Sequence, residues 1–523
     1  MKKLGLGTQE LSMLRKRNCV YVDKTEYIYE LINNETYCFL SRPRRFGKSL
    51  LLNTIKEIFQ GNKELFKDTW IEDKYNFAET FPIIKICMAS LDYANRGLDI
   101  VLRENLEDIA KNHKVKLETI TVKEKFQELI IKLSKKNPVA ILIDEYDKPI
   151  IDYIDEKSRD TAEKNRQIMK NFYSVLKNLD AHIRFLFITG VSKFSRVSIF
   201  SELNNLTDIT INRKYVNITG YTEEEIIDNY ENYLIELEEE YNWDRKRLLE
   251  RIKFWYNGYS WDAKNFVYNP YSVLNLFNSL EFENFWFKSG TPTFLTKLIK
   301  EKDIDVKEYD NQINISRSVL DSYEISNIDT SVLLFQTGYL TIKEYIRDEE
   351  FVSFQMGYPN MEVRSSLYLF LGAEFAGLHN LKYSDTVNRL MIALKKNKIE
   401  DFIKSIRVLF ADISNNLASN QKESYYHTVL YLALKFIGVQ IDVEVNTNHG
   451  RIDAVVKTKD YIYIMEFKMS NAKAALKQIK EKKYYERYLD DERDIICLGV
   501  AFDSDDRNVK GYEVASVEEM ELL

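Results

Sequence analysis

The chain is poor in residues that interrupt regular structure or cross-link a fold. It has only seven prolines and four cysteines among 523 residues, and it shows no internal repeat and no low-complexity linker. The cysteines, Cys19, Cys38, Cys87 and Cys497, are scattered and form no C-x-x-C pair. This spacing indicates neither a zinc ribbon nor a disulfide framework, and it fits a reducing compartment.

Long apolar segments are also missing. No run of 18 apolar residues occurs, and the basic N-terminus lacks the apolar region of a secretory signal peptide. We therefore expect a soluble protein of the cytoplasm that has no membrane partner.

The chain also lacks an excess of positive charge. The formal net charge is −7, whereas a strongly basic chain would point directly to a nucleic-acid partner. A local basic groove is nevertheless sufficient for phosphate contacts, so nucleic acid stays open as a partner. With 45% hydrophobic and 30% charged residues, the chain is typical of an ordered globular protein, and its length predicts two to four domains.

A nucleotide-binding pattern lies near the N-terminus. A strand candidate at 36–40 is followed by a loop with Gly47, Lys48 and Ser49, and an apolar helix pattern comes next. In this P-loop arrangement backbone N–H groups cradle phosphate, Lys48 reaches the β- and γ-phosphates, and Ser49 ligates Mg²⁺. Arg42 stands where the strict pattern has glycine. We expect Lys48 to face solvent in the absence of a ligand.

Two further strand candidates end in polar residues that complete such a site. One apolar run leads into Asp144 and Glu145, and another leads into Thr189. Asp144 would hold Mg²⁺ through water and Glu145 would polarise the attacking water. Thr189 would sense the γ-phosphate, with Ser192 as the alternative. Ligands bind at the carboxyl ends of the strands in parallel sheets, so the set predicts ATP binding, although each run alone also fits a plain core strand.

A second group of charged residues lies near the C-terminus, on two apolar runs that flank residues 458–460. The segment is typical of a β-hairpin. With the turn centred between positions 459 and 460, Asp453 lies directly opposite Glu466. Strand alternation puts Lys468 on the same face as Glu466. Two carboxylates and a lysine are therefore predicted to converge on one side of the hairpin.

Such a group suits a divalent cation. Carboxylate oxygens at this separation bind Mg²⁺ or Mn²⁺, and an ammonium group can orient or deprotonate a water. The alternative is an exposed cluster on a solvated face of the sheet. Facing like charges are unfavourable without a cation, which favours the metal site. A helix predicted over 471–488 follows and carries Gln478, with lysines at helical spacing.

These residues resemble the PD-(D/E)xK nuclease superfamily. Asp453 matches its metal-binding aspartate, and Glu466 and Lys468 match its E-x-K element. Gln478 matches the glutamine of the helix that follows. Glu423, at the start of an apolar helix pattern, resembles the acidic residue of the superfamily's first helix, which would add a metal ligand. Acidic residues are favoured at helix starts in any case, so a surface role for Glu423 stays open.

The segments nearer the N-terminus resemble the bacterial AAA-ATPase-like family. The similarity rests on residues 21–25, 42–49 and 142–147, and it extends to 256–259 and 357–360. It covers nearly the whole chain and implies a P-loop ATPase core in a family whose members commonly carry a C-terminal PD-(D/E)xK domain. The Arg-Pro-Arg-Arg form of the loop, without the usual glycine, is a variant within this family.

The region between the two sites is predicted to be mainly helical. Thr222 and Glu225 make a capping box that opens a helical lid. Helix, hairpin and helix over 332–370 resemble a winged helix, whose acidic turn favours structural coupling over DNA contact. After a last strand at 495–502 we expect a solvated acidic end. The predicted domains are an α/β P-loop core of AAA type with a parallel sheet (1–215), the helical lid (216–290), a helical, winged-helix-like region (291–414) and an α/β PD-(D/E)xK domain (415–523).

The favoured function is that of an ATP-regulated, metal-dependent nuclease that hydrolyses phosphodiester bonds in DNA. ATP and Mg²⁺ or Mn²⁺ are the expected cofactors, nucleic acid is the expected partner, and a homo-oligomer stays open. The alternative is a nucleotide-dependent switch or assembly module that binds nucleic acid or protein without cleavage. The intact set of Asp453, Glu466 and Lys468 favours the nuclease, because a pure binding module does not need it.

Overall fold

A computed structural model describes most of the chain. The described residues are 1–153, 158–193, 199–200, 203, 205–288, 312–320, 329–347, 351–411, 424–438, 442–448, 451–468, 471–503 and 508–522. Their contacts divide the chain into two compact units, Met1–Val363 and Arg364–Leu523. The predicted domain boundary at residue 415 lies outside the described residues, and the second unit begins earlier, at Arg364.

The first unit combines helices with two sheets. Its described helices are α1 (Leu11–Lys16), α2 (Thr25–Asn34), α3 (Lys48–Phe59), α4 (Tyr93–Arg96), α5 (Leu98–Asn112), α6 (Val122–Leu133), α7 (Lys148–Ile151), α8 (Arg159–Tyr173), α9 (Glu223–Tyr241), α10 (Arg245–Tyr256), α11 (Pro270–Ser279), α12 (Phe285–Lys288), α13 (Arg317–Leu320) and α14 (Thr330–Thr337). Its described strands are β1 (Tyr37–Ser41), β2 (Ile83–Cys87), β3 (Val139–Asp144), β4 (Ile183–Gly190), β5 (Thr207–Asp208), β6 (Ile313–Ser316), β7 (Thr341–Arg347) and β8 (Val352–Gly357).

A five-stranded parallel sheet forms the centre of the first unit, in the order β2-β3-β4-β1-β5. Alternate strand residues enter two separate apolar clusters. Ile141 and Ile143 pack with α5, α6 and α8, whereas Ala140 and Leu142 pack with α2 and α3. Helices thus cover both faces, as continuous apolar strands require. The predicted parallel P-loop architecture is confirmed, and β3, β4 and β1 are neighbours, so their carboxyl ends meet at one edge.

The helices α9 to α11 form the predicted lid. The Thr222 hydroxyl accepts from the backbone N–H of Glu225 at 3.2 Å, and the Glu225 carboxylate accepts from the N–H of Thr222 at 2.9 Å, so the capping box is confirmed. Buried residues of all three helices share a core with Val20 and Val22. The segment between α1 and α2 therefore packs against the lid.

A three-stranded antiparallel sheet, β6-β8-β7, lies near the end of the first unit. The helix α14, the hairpin strands β7 and β8 and the next helix, α15 (Met361–Ala376), follow the predicted order of helix, hairpin and helix. The strand β6, which sequence analysis did not predict, pairs with β8. Within the described residues, no helix combines the length and apolarity that a membrane crossing requires.

The second unit is built on a mixed sheet. Its further helices are α16 (Asn380–Lys395), α17 (Ile399–Ala411), α18 (Ser424–Ile437), α19 (Ala472–Lys482) and α20 (Val517–Leu522), and its strands are β9 (Asp442–Asn448), β10 (Arg451–Lys457), β11 (Tyr461–Lys468), β12 (Asp494–Asp503) and β13 (Asn508–Ser516). The strand order is β13-β12-β11-β10-β9, with β11 and β12 parallel and the other neighbours antiparallel.

Different helices pack on the two faces of this sheet. Tyr463 and Met465 belong to a cluster with residues of α16, α17 and α18. Ile462 and Ile464 belong to a second cluster with Leu476 and other residues of α19. Because side chains alternate along a strand, Glu466 lies on the face that α19 covers.

Two expectations for this region are wrong. The strand at 494–503 is not followed by a solvated end, because β13 pairs with it and extends the sheet. The helix predicted over 471–488 ends at Lys482, since Lys483 adopts a left-handed conformation with φ 52°. The chain then turns, which buries Tyr485 and Tyr488 in the cluster beneath α19.

Candidate functional sites

The P-loop joins β1 to α3 at the carboxyl edge of the parallel sheet. Gly47 is the N-cap of α3 and has φ 83°. Ser49 is half-buried in the first helical turn, where backbone N–H groups have no partner within the helix. The side chains of Arg44 and Arg45 are exposed. The loop therefore offers N–H donors and positive charge, the combination that binds phosphate.

Lys48 does not face solvent, which corrects the expectation from sequence. It is 7% exposed, and its ammonium donates to the carbonyls of Arg42 at 2.9 Å and Pro43 at 2.8 Å. Burial lowers its pKa, and the nearby carboxylates of Asp144 and Glu145 partly offset this. An ammonium has three donors, so these two bonds leave one N–H for a phosphate.

Arg42 holds the start of the loop through hydrogen bonds to backbone carbonyls. Its guanidinium is fully buried and donates to the carbonyls of Ser41 at 2.9 Å and Thr210 at 2.8 Å. The ring of Trp261 covers it, with 3.8 Å between the guanidinium carbon and the ring centroid. Burial lowers the pKa of Arg42 to about 9. The side chain that replaces the expected glycine is therefore a structural part of the loop's support.

The acidic residues after β3 lie close to the loop. Asp144 is 4% exposed, and its carboxylate accepts from the N–H of Glu145 at 3.0 Å. Glu145 has φ 50°, a left-handed conformation that costs a non-glycine residue energy and often occurs at functional sites. Burial raises the pKa of Glu145, and the charge of Asp144 raises it further, whereas Lys48 lowers it.

The polar tip of β4 is buried. Thr189 is completely buried, and its hydroxyl makes no hydrogen bond within the described residues. Ser192, the alternative, donates its N–H at 2.6 Å and its hydroxyl at 2.7 Å to Asp147. Asp147 also accepts from the N–H of Val191 at 3.0 Å. The Ser192 hydroxyl therefore helps to join the segments that follow β3 and β4.

A cavity of about 420 Å³ opens beside the P-loop, within the size range of small-molecule sites. Of the predicted residues, Gly47, Lys48, Ser49 and Glu145 line it, and Asp144 and Thr189 do not. The remaining wall comes mainly from apolar and aromatic residues of the N-terminal segment and the lid, including Leu14, Val20, Tyr221, Tyr230, Tyr271 and Leu274. A polar phosphate-binding part next to an apolar part fits a nucleotide.

Segments more than 200 residues away hold the loop. Tyr271 lies 5.0 Å from the Arg45 guanidinium, and the Trp286 indole donates to the Arg44 carbonyl at 3.1 Å. The buried ring of Phe46 packs edge-on against Tyr259, with ring centroids 4.7 Å apart. The loop conformation is therefore tied to the lid and to the segment between α10 and α11.

The segments 256–259 and 357–360 meet next to these contacts. The side-chain amide of Asn360 donates to the carbonyl of Asn257 at 2.8 Å. Gly258 has φ 100°, and a Cβ there would collide with the Pro359 carbonyl oxygen, so only glycine fits. This contact joins the segment that follows β8 to the segment that contains Tyr259. Tyr259 in turn packs against Phe46 of the P-loop.

The predicted hairpin is confirmed in the second unit. Asp453 pairs with Glu466, as the predicted turn centre requires. Glu466 is completely buried, and Lys468 donates to the carbonyl of Ala474 in the first turn of α19 at 3.3 Å. The strand pairing therefore brings the two carboxylate positions together, and Lys468 lies two residues further along the same strand.

The helix α19 closes over this part of the sheet. Gly499 pairs with Glu466 in the parallel ladder of β11 and β12. A Cβ on Gly499 would lie 2.5 Å from the Ala472 carbonyl oxygen and 2.7 Å from the Leu476 nitrogen, which shows how closely the helix approaches. Gln478, on this helix, is 9% exposed. Glu423 lies outside the described residues, so its predicted place beside the carboxylates stays a prediction.

The donor chemistry fits a divalent cation. Asp453 and Glu466 are acidic residues at paired backbone positions on adjacent strands, and Mg²⁺ is commonly held by one or two carboxylates together with water and substrate phosphate. Within the described residues no group of three or more His, Cys, Asp and Glu side chains could hold a metal by itself.

Comparisons with known proteins match both domains. A family model described as "Predicted AAA-ATPase" matches residues 5–200, and one described as "PD-(D/E)XK nuclease superfamily" matches residues 421–512. A protein of Azotobacter chroococcum mcd 1, described as "Uncharacterized protein in vnfD 5'region", is 35% identical over 537 residues, with 99% of each chain covered.

The chain belongs to the AAA-ATPase-like family and carries a C-terminal domain of the PD-(D/E)XK nuclease superfamily. Together the two domains support a nucleotide-dependent nuclease in general terms.

Sequence reasoning missed several residues of the cavity. Asp147 was visible as a third acid after β3, but its role of joining two strands depends on contacts with β4. Segment 21–25 was part of the family resemblance without an assigned role. In the structure Lys24 forms an ion pair of 2.6 Å with Glu225 of the lid. No sequence pattern pointed to Thr219 or Tyr271, because the packing of the lid brings them to the cavity wall.

Proposed function

We propose that the protein is an ATP-regulated, metal-dependent nuclease that hydrolyses phosphodiester bonds in DNA. The observation that carries the cleavage part is the strand pairing of Asp453 with Glu466, because two carboxylates at paired positions supply the ligands that such a reaction needs. The cavity beside Lys48 and Glu145 supports the ATP part.

Each residue has a distinct role in this proposal. Asp453 and Glu466 hold the cation, which when bound stabilises charge on the scissile phosphate and lowers the pKa of a bound water. Glu423 is a further candidate ligand. Lys468 positions the water or stabilises the negative charge that develops on phosphorus oxygens, and Gln478 orients these groups.

The nucleotide site follows the chemistry of P-loop enzymes. Gly47 and the N–H groups of α3 bind phosphate, while Lys48 contacts the β- and γ-phosphates. Ser49 and Asp144 hold Mg²⁺, which neutralises charge on the phosphates when it is bound. Glu145 polarises the attacking water, helped by a raised pKa that burial causes.

Regulation by ATP requires a conformational link, since the two sites share no residue. The contacts of the P-loop with Tyr259, Tyr271 and Trp286 provide its first step within the first unit. A change in the loop on nucleotide binding would alter these contacts and shift the population of states beyond them.

The test is a cleavage assay on purified protein. Linear, circular and single-stranded DNA, and RNA of the same sequence, are incubated with Mg²⁺ or Mn²⁺ and with no nucleotide, ADP, ATP or a non-hydrolysable ATP analogue. The proposal expects metal-dependent DNA cleavage whose rate changes with the nucleotide. Equal rates in all four nucleotide states would remove the regulation and leave two independent activities. Metal-dependent binding of DNA without any cleavage would favour a switch or assembly module.

A further inference from the structure

The cavity beside the P-loop extends far beyond the residues that bind phosphate. One part of its wall is Gly47, Lys48, Ser49 and Glu145, and another part consists of residues from α1 to α2, from 218–221 and from the lid. The second part is mainly apolar and includes Tyr21, Tyr221, Tyr230 and Tyr271, with Lys24 and Thr219 among its polar residues. Walls of mostly apolar and aromatic side chains with a small number of polar groups are typical of small-molecule sites.

One polar side chain in this wall has no hydrogen-bond partner among the described residues. Thr219 lines the cavity and is 3% exposed, yet its hydroxyl makes no hydrogen bond within the part of the chain that the structure describes. By contrast, the hydroxyl of Thr54, which also lines the cavity, donates to the Leu50 carbonyl at 2.8 Å. Buried hydroxyls are nearly always hydrogen-bonded, and leaving one unpaired is costly.

The backbone around Thr219 is firmly held, so its place in the wall is preformed. The next residues pair with the segment before α11, where Tyr221 donates its N–H to the Tyr268 carbonyl at 3.2 Å and accepts at 2.8 Å from the Tyr268 N–H. Lys24 bridges the N-terminal segment to Glu225 at the start of α9 with two contacts of 2.6 and 2.7 Å. Burial lowers the pKa of Lys24, and Glu225 opposes this.

We infer that Thr219 recognises the purine base of the bound nucleotide through its hydroxyl, with the apolar wall enclosing the ring. The inference rests on the proposed nucleotide site. A hydroxyl can donate to a ring nitrogen or accept from an exocyclic amino group, and Thr219 lines the cavity that would hold the base. On binding, the hydroxyl gains a partner that it lacks among the described residues.

The test compares two ligands that differ only in the nucleoside. Dissociation constants for ATP and for inorganic tripolyphosphate, both with Mg²⁺, are measured by calorimetry for four proteins: the wild type, Thr219→Val, Thr219→Ser and Thr386→Val. Valine keeps the shape of threonine and removes the hydroxyl, whereas serine keeps the hydroxyl. Thr386 is a matched control, because it is 4% exposed and its hydroxyl is already bonded to the Lys382 carbonyl at 2.9 Å.

Thr219→Val is expected to weaken ATP binding about 3- to 10-fold, the loss of one hydrogen bond, with tripolyphosphate affinity unchanged. Thr219→Ser and Thr386→Val should bind both ligands like the wild type. The unfolding temperature of free Thr219→Val should equal or exceed that of the wild type, since an unpaired buried hydroxyl is removed.

Other results overturn the inference. Unchanged ATP affinity in Thr219→Val shows that the hydroxyl does not contact the base, and an equal loss for both ligands shows that it serves the phosphates or the fold. Wild-type protein that binds tripolyphosphate as tightly as ATP has no base subsite. Wild-type protein that binds neither ligand defeats the proposed nucleotide site itself, which distinguishes the two failures.

Discussion

The guanidinium of Arg42 lies under the ring of Trp261, 3.8 Å from its centroid. Arg42 lies at the start of the P-loop, and Trp261 belongs to the segment between α10 and α11, so the stack joins the P-loop to the lid region. The same guanidinium supplies donors to two backbone carbonyls. A planar, delocalised cation is suited to both tasks, because it can stack and donate at the same time.

Replacing Arg42 should therefore destabilise the first unit. Arg42→Ala is expected to lower the free energy of unfolding by about 2–4 kcal/mol, from the lost hydrogen bonds of a charged donor and the lost ring contact. Arg42→Lys should restore little, because an ammonium cannot stack and reach both carbonyls. Denaturant unfolding measures the effect. Arg45→Ala is the control, since Arg45 is exposed and lies 5.0 Å from the ring of Tyr271. Equal stability of Arg42→Ala and the control would contradict the support role.

Lys48→Met should reduce ATP hydrolysis by at least ~10²-fold, because the charge on the β- and γ-phosphates is then uncompensated. Methionine keeps the length of the buried stem while removing the ammonium. Phosphate release measures the rate, with the exposed lysine change Lys116→Met as control. Because the ammonium is bonded to the carbonyls of Arg42 and Pro43, we also expect a small loss of stability in Lys48→Met. Hydrolysis at the wild-type rate would rule out this P-loop assignment.

Glu362 should make the stability of the first unit depend on pH. Its carboxylate is buried and accepts from the Ser272 hydroxyl and the Trp286 N–H, both at 2.7 Å. Burial raises its pKa to about 7, from 4.5 for an ordinary glutamate. The folded state thus holds the proton more tightly, so its contribution to stability is full below pH 4.5 and is lost as pH rises to about 7.

The size of this effect is on the order of 3 kcal/mol, because each pKa unit corresponds to about 1.4 kcal/mol. Glu362→Gln, which mimics the protonated carboxyl, should remove most of the difference in unfolding free energy between pH 5 and pH 8. Glu250→Gln, at an exposed position of α10, should leave the difference as it is in the wild type. An unchanged pH dependence in Glu362→Gln would show that another group causes it.

The close approach of α19 at Gly499 should be sensitive to a single methyl group. Gly499→Ala would place a carbon 2.5 Å from the Ala472 carbonyl oxygen, so the helix must shift, at a cost of about 1–3 kcal/mol. Cleavage should fall as well, because the helix carries Gln478 over the face of Glu466. Gly511→Ala on the neighbouring strand has nothing within 4 Å of the added carbon and should be nearly neutral. Thermal unfolding and cleavage rates of the two variants decide the matter.

Asp453→Ala and Glu466→Ala should each reduce cleavage at least ~10²-fold, from the several kcal/mol that a cation supplies to the transition state. Gln478→Ala should cost less, because the amide orients the other groups. Removing one of two paired carboxylates relieves repulsion, so the unfolding temperature without metal should stay the same or rise, and its increase on adding Mn²⁺ should disappear. Wild-type cleavage by Glu466→Ala would show that the hairpin is not the active site.

The sequence by itself determined most of the secondary structure and the register of the hairpin. The runs before Asp144 and Thr189 form β3 and β4 because continuous apolar strands can be buried on both faces only in a helix-covered sheet. Asp453 faces Glu466 because the short turn at 458–460 fixes the register of the two apolar strands. Local pattern and chain connectivity are sufficient for such features.

Only the tertiary structure decided what surrounds these residues. The burial of Lys48, the stack of Trp261 on Arg42 and the pairing of β13 with β12 all depend on segments that are remote in sequence or on an edge left open by the strand order. Thr219 belongs to the cavity because the lid packs against the N-terminal segment. Sequence periodicity reports which face of an element is apolar. It does not report which other element will cover that face. The packing of those covering elements determines which residues surround a motif such as the P-loop.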